Sequence, residues 1–206
     1  MAQILHIDSS PRGKRSLSRS LTGEFNRIWK QTYPEDKIVY RDLGHNPVPF
    51  VDESWIAAAF SPKEQLTPEL KSAIKISDEL IDEFLAAKVC VFGVPMYNYS
   101  IPANFKAYID QIVRVGRTFS ATANGYEGLV KDQKKILFVT ARSISYENSP
   151  LDFQEPYLKA VFELIGITDI TFIHANNLAM GDEARQKSLA EARNKIQQFI
   201  TILATK

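Results

Sequence analysis

Short apolar runs rich in β-branched residues alternate along this chain with longer amphipathic stretches. The runs at residues 4–8, 37–41, 88–94, 134–140 and 168–174 predict strands, because about four to eight apolar residues between turn signals suit a strand buried on both faces. Between them the spacing turns helical. Leu17, Leu21, Phe25, Ile28 and Trp29 share one helix face, and Arg, Glu and Lys fill the rest. Thr67-Pro68 opens a second helix, since Thr can cap it and Pro is tolerated at its first position; Leu70, Ile74, Ile81, Phe84 and Leu85 mark its inner face. Pro102 precedes a third, through Phe105, Tyr108, Ile109 and Ile112, and Phe162 lies in another helical apolar pattern. The last helix runs from about residue 182 to 203, with Leu189, Ala192, Ile196, Phe199, Ile200 and Leu203 inward.

Five strands alternating with helices predict an α/β fold: a doubly wound parallel sheet with helices on both faces, because parallel strands need crossovers. Of the two common orders, the flavodoxin-like 2-1-3-4-5 suits five strands better than the six-stranded dinucleotide fold. The 206 residues read as a single domain, 1–206, whose core hides roughly 70% of the unfolded surface without disulfides or structural metal. Two stretches exceed the minimum plan. Residues 44–66 carry Pro47, Pro49 and Pro62 with Phe50, Trp55 and Phe60, and residues 116–130, with Asn124-Gly125, read as a short hairpin or extended loop. Loops this long in a compact domain are usually functional or interfacial.

Composition narrows the function classes. At 45% hydrophobic and 24% charged the chain matches ordinary globular proteins, which excludes disordered and collagen-like architectures. Lys plus Arg number 25 against 24 Asp plus Glu, so the strong basic excess that meets nucleic acid or anionic membrane is missing. No apolar run approaches the roughly 20 residues that span a bilayer, and the N-terminal residues lack a secretory pattern, so a cytoplasmic protein is expected. Cys90 is the single cysteine and can form neither an internal disulfide nor a multi-thiolate metal site; within Val89-Cys90-Val91-Phe92 it reads as a small hydrophobe in a reducing compartment. His6, His45 and His174 have no metal-site spacing and are read as structural. Residues 131–135 read as a solvated approach to the fourth strand. No Gly-x-Gly-x-x-Gly, Walker-type loop or Gly-x-Ser-x-Gly elbow is present, which removes the main support for dinucleotide dehydrogenase, NTPase and serine hydrolase readings.

Open parallel sheets bind ligands beyond the carboxyl ends of their strands, where the strand order reverses. The loop after strand one, Ser9-Ser10-Pro11-Arg12-Gly13-Lys14-Arg15-Ser16-Leu17-Ser18, offers hydroxyls, a permissive glycine, cations and a helix N-terminus with unpaired N–H groups. It fits either a helix start capped by Ser16 behind a solvated turn or a phosphate socket, and its place after the first strand favours the socket. The loop after strand three, Pro95-Met96-Tyr97-Asn98-Tyr99-Ser100-Ile101-Pro102, is a stiff surface with polarizable and aromatic contact area. It suits either a cover for the strand edge or a shelf for a flat ring. Side by side across the switch point, socket and shelf match a phosphorylated planar cofactor.

Ser9-Ser10-Pro11-Arg12 with Ser16-Leu17-Ser18, Pro95-Met96-Tyr97-Asn98-Tyr99, Phe105-Lys106-Ala107-Tyr108-Ile109-Asp110, Thr118-Phe119, Gly125-Tyr126-Glu127-Gly128-Leu129 and Ile165-Gly166-Ile167 resemble the bacterial FMN-dependent NADH azoreductases, also described as NADH:quinone oxidoreductases, along essentially the whole chain. The resemblance implies FMN as cofactor. Its phosphate would be held by Ser10, Ser16, Leu17 and Ser18, and its ring lined by Pro95, Met96, Tyr97, Asn98 and Tyr99, with Ala141, Arg142 and Ser143 after strand four at the pyrimidine end. It also implies a homodimer, which assigns residues 44–66 and 116–130 to the dimer interface and active-site walls, and ping-pong hydride transfer from NADH, or NADPH, through the flavin to quinone or azo acceptors. No catalytic side chain and no metal is expected, because the flavin carries the chemistry. Phe119, Ala121 and Phe162 are the candidates for a substrate pocket. Two departures stand out: Ala141-Arg142-Ser143-Ile144 replaces the family's common Ser-Arg-Gly-Gly, and Ala121 stands where the family carries an aromatic, which bears on substrate preference. The alternative function is a flavodoxin-like electron carrier without its own small-molecule substrate. A charge of +1 weighs against it, since such carriers steer to partners with a strongly acidic surface.

Overall fold

The computed structural model describes residues 2–131 and 133–204. A parallel sheet runs through its centre, with β1 (Gln3–Asp8), β2 (Lys37–Asp42), β3 (Val89–Pro95), β6 (Lys135–Ala141) and β7 (Ile170–Ala175) in the spatial order β2-β1-β3-β6-β7. Counted within that sheet alone, this is the expected 2-1-3-4-5. The intervening β4 (Phe119–Thr122) and β5 (Gly125–Gly128) form a separate antiparallel hairpin in the second long excursion.

Two helical layers cover the sheet. On one face α1 (Leu17–Thr32) and α6 (Asp182–Ala204) bring Leu21, Phe25, Ile196 and Ile200 onto Ile4, Val91 and Val139. On the other, α3 (Pro68–Ala86), α4 (Ala103–Ile112) and α5 (Glu155–Leu164) bring Phe84, Phe105 and Phe162 onto Leu5, Phe92 and Phe138. Successive strand residues point to opposite faces, so the two sets alternate along each strand, and β3 is buried throughout as a central parallel strand must be. Ser16 and Thr67 cap α1 and α3 by accepting from the backbone N–H groups of Arg19 and Leu70. Cys90 is fully buried, and burial pushes its thiol up to about 12, consistent with a packing role.

Three features differ from the sequence reading. Residues 44–66 contain a helix, α2 (Glu53–Phe60), capped by Asp52, whose carboxylate accepts from Trp55 N–H at 2.8 Å; α2 packs Trp55 and Ala58 against Ile74 of α3. Residues 131–135 are not uniformly solvated: Lys134 is buried, its ammonium capping the C-terminal carbonyls of Leu85 and Ala87 beside the Phe84 ring, while Asp132 lies outside the described residues. Phe162, a candidate for the substrate pocket, has no exposed surface. It packs against Phe84, Phe92 and Phe138 as part of the core, because its helix turns that face onto the sheet.

Candidate functional site

The loops leaving β1, β3 and β6 converge on one cleft of about 470 Å³, within the range of small-molecule sites. Its walls include Ser10, Ser16 and Leu17 from the first loop, Pro95, Met96 and Tyr97 from the second, and Ala141, Arg142 and Ser143 from the third.

The serines of the first loop are buried and tightly bonded, while Pro11, Arg12, Lys14 and Arg15 are exposed. Ser9 donates through both its N–H (3.0 Å) and its hydroxyl (2.9 Å) to the Gly93 carbonyl of β3, and Asn104 of α4 donates to the carbonyls of Ser9 and Leu43, both at 2.9 Å. The hydroxyls of Ser16 and Ser18 lie 3.1 Å apart. Ser18 is wholly buried and lies behind the cleft wall, not on it. The first turn of α1 has no acidic residue, so nothing on the helix itself offsets the positive end of its dipole. Arg12 and Arg15 reach the same wall, and neither has a carboxylate partner among the described residues. Unpaired N–H groups, hydroxyls and free guanidinium groups around one hollow are the chemistry of a phosphate site.

The second loop is built differently. Met96 N–H donates to Ala141 O at 3.0 Å, which ties it to the third loop. Tyr97 and Ser100 then exchange two backbone hydrogen bonds of 3.0 Å around a turn in which Asn98 (φ 48°) and Tyr99 (φ 69°) are both left-handed. Asn tolerates that region, but for Tyr it is strained. The turn stands out from the surface, with Tyr97 37% and Tyr99 46% exposed, and neither Asn98 nor Tyr99 lines the cleft of this chain. Tyr99 is braced from the side: its carbonyl accepts from Phe153 N–H, and its ring meets Tyr146 edge-on at 5.8 Å.

The third loop is anchored by Arg142, fully buried below the cleft. Its guanidinium donates to Asp152 Oδ2 (2.9 Å) and to Gln154 Oε1 (3.0 Å), and Gln154 donates in turn to Val94 O. The backbone of Ser143 remains available, although its carbonyl already accepts from Ala179 N–H; Ile144 is 42% exposed and does not fill the cleft. Beside Arg142, His174 hydrogen-bonds to Thr140 Oγ1 and to Glu155 Oε2, each at 2.7 Å. Burial and the Arg142 cation hold its imidazole below the ordinary value, despite the opposing pull of Glu155.

Leu178, Ala179 and Arg185 also wall the cleft, from the loop after β7 and the start of α6. No local motif marks them; their place follows from β7 lying beside β6 in the sheet. Phe119 and Ala121 sit on the β4-β5 hairpin, Phe119 half-buried against the Tyr126 ring and Ala121 exposed, and neither touches this cleft. The hairpin is docked at its base, where Gly128 meets the backbone of Gly166 so closely that a Cβ there would overlap it. Among the described residues no helix is long and apolar enough to cross a membrane.

A family model described as having a flavodoxin-like fold matches residues 2–200. The chain is 64% identical to the FMN-dependent NADH:quinone oxidoreductase 1 of Trichormus variabilis, with 96% of this chain and 95% of that protein covered. It is 44% identical to the FMN-dependent NADH:quinone oxidoreductase of Azotobacter vinelandii over 96% of this chain and 99% of that one. Among solved structures it resembles an FMN-dependent NADH-azoreductase from Bacillus anthracis in complex with FMN, with a TM-score of 0.89, 26% identity, and 99% and 100% of the two chains covered.

Proposed function

The chain belongs to the FMN-dependent NADH:quinone oxidoreductases of the flavodoxin-like fold, and from that premise we propose how its own residues carry the activity. It is an FMN-dependent oxidoreductase that uses NADH to reduce quinones and azo compounds. The observation that carries this reading is the convergence in one cleft of an anion socket at the start of α1 and a Pro95-Met96-Tyr97 shelf at the end of β3.

The residues fit the cofactor. Ser10, Ser16 and the N–H groups around Leu17 and Ser18 bind the phosphate, with Arg12 and Arg15 adding charge. Ser18, behind the wall, orients the Ser16 hydroxyl through their mutual hydrogen bond. Pro95, Met96 and Tyr97 would support the ring, and Asn98 and Tyr99, which stand outside the cleft wall of this chain, would reach it only through their backbone. Ala141, Arg142 and Ser143 would hold its pyrimidine end, with backbone groups in place of the side-chain hydroxyl absent at Ala141. FMN supplies, when bound, hydride acceptance from NADH and two-electron delivery to the acceptor, in alternating half-reactions. The side chains here position and exclude, and the proton needed by the product comes from water.

The protein works as a homodimer in the cytoplasm. Phe50 and Phe60 are more than two-thirds exposed, and Phe50 lines an apolar groove of about 510 Å³ with Pro47, Pro49, Tyr97 and Pro102 beside the shelf, which supports a partner subunit completing the ring end. Phe119 and Ala121 on the hairpin then contribute to the acceptor pocket of such a pair.

Purified protein titrated with FMN is expected to give a bound-flavin spectrum that NADH bleaches without air and a benzoquinone restores. No bound flavin would overturn the reading. Bound flavin that NADH leaves oxidised would point to an electron carrier instead.

A further inference from the structure

One arginine beside the socket faces away from it. Arg19 is the third residue of α1, yet its side chain is not part of the cleft wall that Arg12 and Arg15 reach. Its Nε donates to the Ser10 carbonyl at 2.7 Å; Nη1 donates to Tyr40 Oη and to Asp42 Oδ2, both at 2.9 Å; and Nη2 donates to Asp42 Oδ1. The guanidinium therefore joins the first loop, the end of β2 and the start of α1 through its planar fork.

The surroundings leave it little freedom. Asp8, buried at the end of β1, accepts from Thr22 Oγ1 (2.8 Å) and Tyr40 Oη (3.1 Å) and lies 3.8 Å from Nη1, with His6 Nε2 at 3.3 Å. Burial alone would raise the Asp42 carboxyl, but hydrogen bonds from Arg19 and His45 hold it well below the usual range. The Tyr40 phenol is pushed up to about 12 by burial and by Asp8, so it stays protonated and donates to Asp8 while accepting from Arg19. Gly44 closes the remaining side: a Cβ there would overlap both the Ser10 carbonyl and the Arg19 guanidinium.

Two consequences for an anion follow. A carbonyl turned into the socket would repel a phosphate, and Arg19 draws the Ser10 carbonyl the other way. Asp8 and Asp42 stand close behind the same loop, and Arg19 is the cation placed against both. We propose that Arg19 is a positioning residue for phosphate binding: without touching the phosphate, it holds the Ser10 peptide in its anion-accepting orientation and offsets the two carboxylates behind it. This rests on the phosphate-socket reading of the preceding subsection.

The test compares FMN with riboflavin, which has the same ring and no phosphate, on apoprotein by flavin fluorescence quenching. The parent is expected to prefer FMN strongly. Arg19→Gln should lower FMN affinity about 10- to 100-fold and leave riboflavin affinity unchanged, because one charge-assisted contact and one local compensation are lost at the phosphate end alone. Arg19→Lys should recover only part of the loss, since an ammonium cannot span the fork. Gly44→Ala, which displaces the same carbonyl with every charge retained, should repeat the pattern and supplies the answer if Arg19→Gln fails to fold. Equal losses for both flavins would make Arg19 merely structural, and unchanged FMN affinity in Arg19→Gln and Gly44→Ala would overturn the proposal outright. A parent that binds both flavins equally would instead remove the phosphate socket itself.

Discussion

The two ends of the cleft are built on opposite plans. At the α1 end, Ser9, Ser10, Ser16 and Ser18 are all buried, and backbone and side-chain hydrogen bonds from three elements fix the loop before anything binds. At the β3 end, the Tyr97–Ser100 turn is largely exposed, carries two left-handed non-glycine residues, and is braced from the side at Tyr99 by Phe153 and Tyr146. The difference tracks what each end is proposed to recognise. A phosphate is read by donors whose directions must be set in advance, because a misplaced dipole in a poorly hydrated site is costly. A flat ring is read by contact area, which a turn can supply while staying open to reactants.

The largest expected effect breaks the phosphate end. Replacing Ser16 and Ser18 together by Ala should raise the FMN dissociation constant about 10- to 100-fold, since one hydrogen bond to a charged group, from Ser16, contributes roughly 1.5–3 kcal/mol and Ser18 orients that hydroxyl. Cys90→Ala should leave it unchanged. Equal constants for the serine double variant and its parent, by fluorescence titration, would abolish the proposed contrast.

A second pair of substitutions sharpens it through the stability of the apoprotein. Ser16→Ala loses a helix cap worth about 1 kcal/mol and should lower the melting temperature by about 2–4 °C. Tyr99→Gly removes a left-handed penalty of about 1–2 kcal/mol, less the backbone freedom that glycine adds to the unfolded chain, and should leave the melting temperature level or higher. Its NADH–quinone turnover should nevertheless fall. Melting curves that moved in the same direction would mean that the ring end is as relaxed as the phosphate end.

The smallest effect belongs to His174, which lies outside the cleft beside Arg142. His174 is held below its ordinary value in the folded chain, so the unfolded chain takes up a proton where the native one resists it. The stability linked to this group is complete above about pH 6.5 and is lost as pH falls through the lower folded value. Urea unfolding between pH 7.5 and 5 should therefore show a decline that is shallower in His174→Gln. Identical slopes would place the pH sensitivity elsewhere.

How far the sequence carried depended on whether a residue's role was local. The strands were legible to within a residue or two, because runs such as Val89–Pro95 are apolar throughout, and the caps Ser16 and Thr67 were legible because capping is decided within one turn. The helix α2 was not, since Trp55-Ile56-Ala57-Ala58-Ala59-Phe60 is apolar on every side and shows no period. Lys134 looked solvated because the carbonyls that bind it come from the end of α3, far away in the chain. Phe162 showed its helical period but not its depth, and Leu178, Ala179 and Arg185 reach the cleft only through the neighbour relation of β6 and β7.

The hairpin of β4 and β5 behaves mechanically as a cantilever. Its root is clamped: Gly128 abuts Gly166, Val130 N–H bonds to Ile165 O, and Arg114 and Arg117 pair with Asp78 of α3. Its free span, including Ala121 and Tyr126, is exposed and carries little of the fold's weight. Substitutions along the span can therefore be absorbed without disturbing the core, while the root keeps the span in the same place.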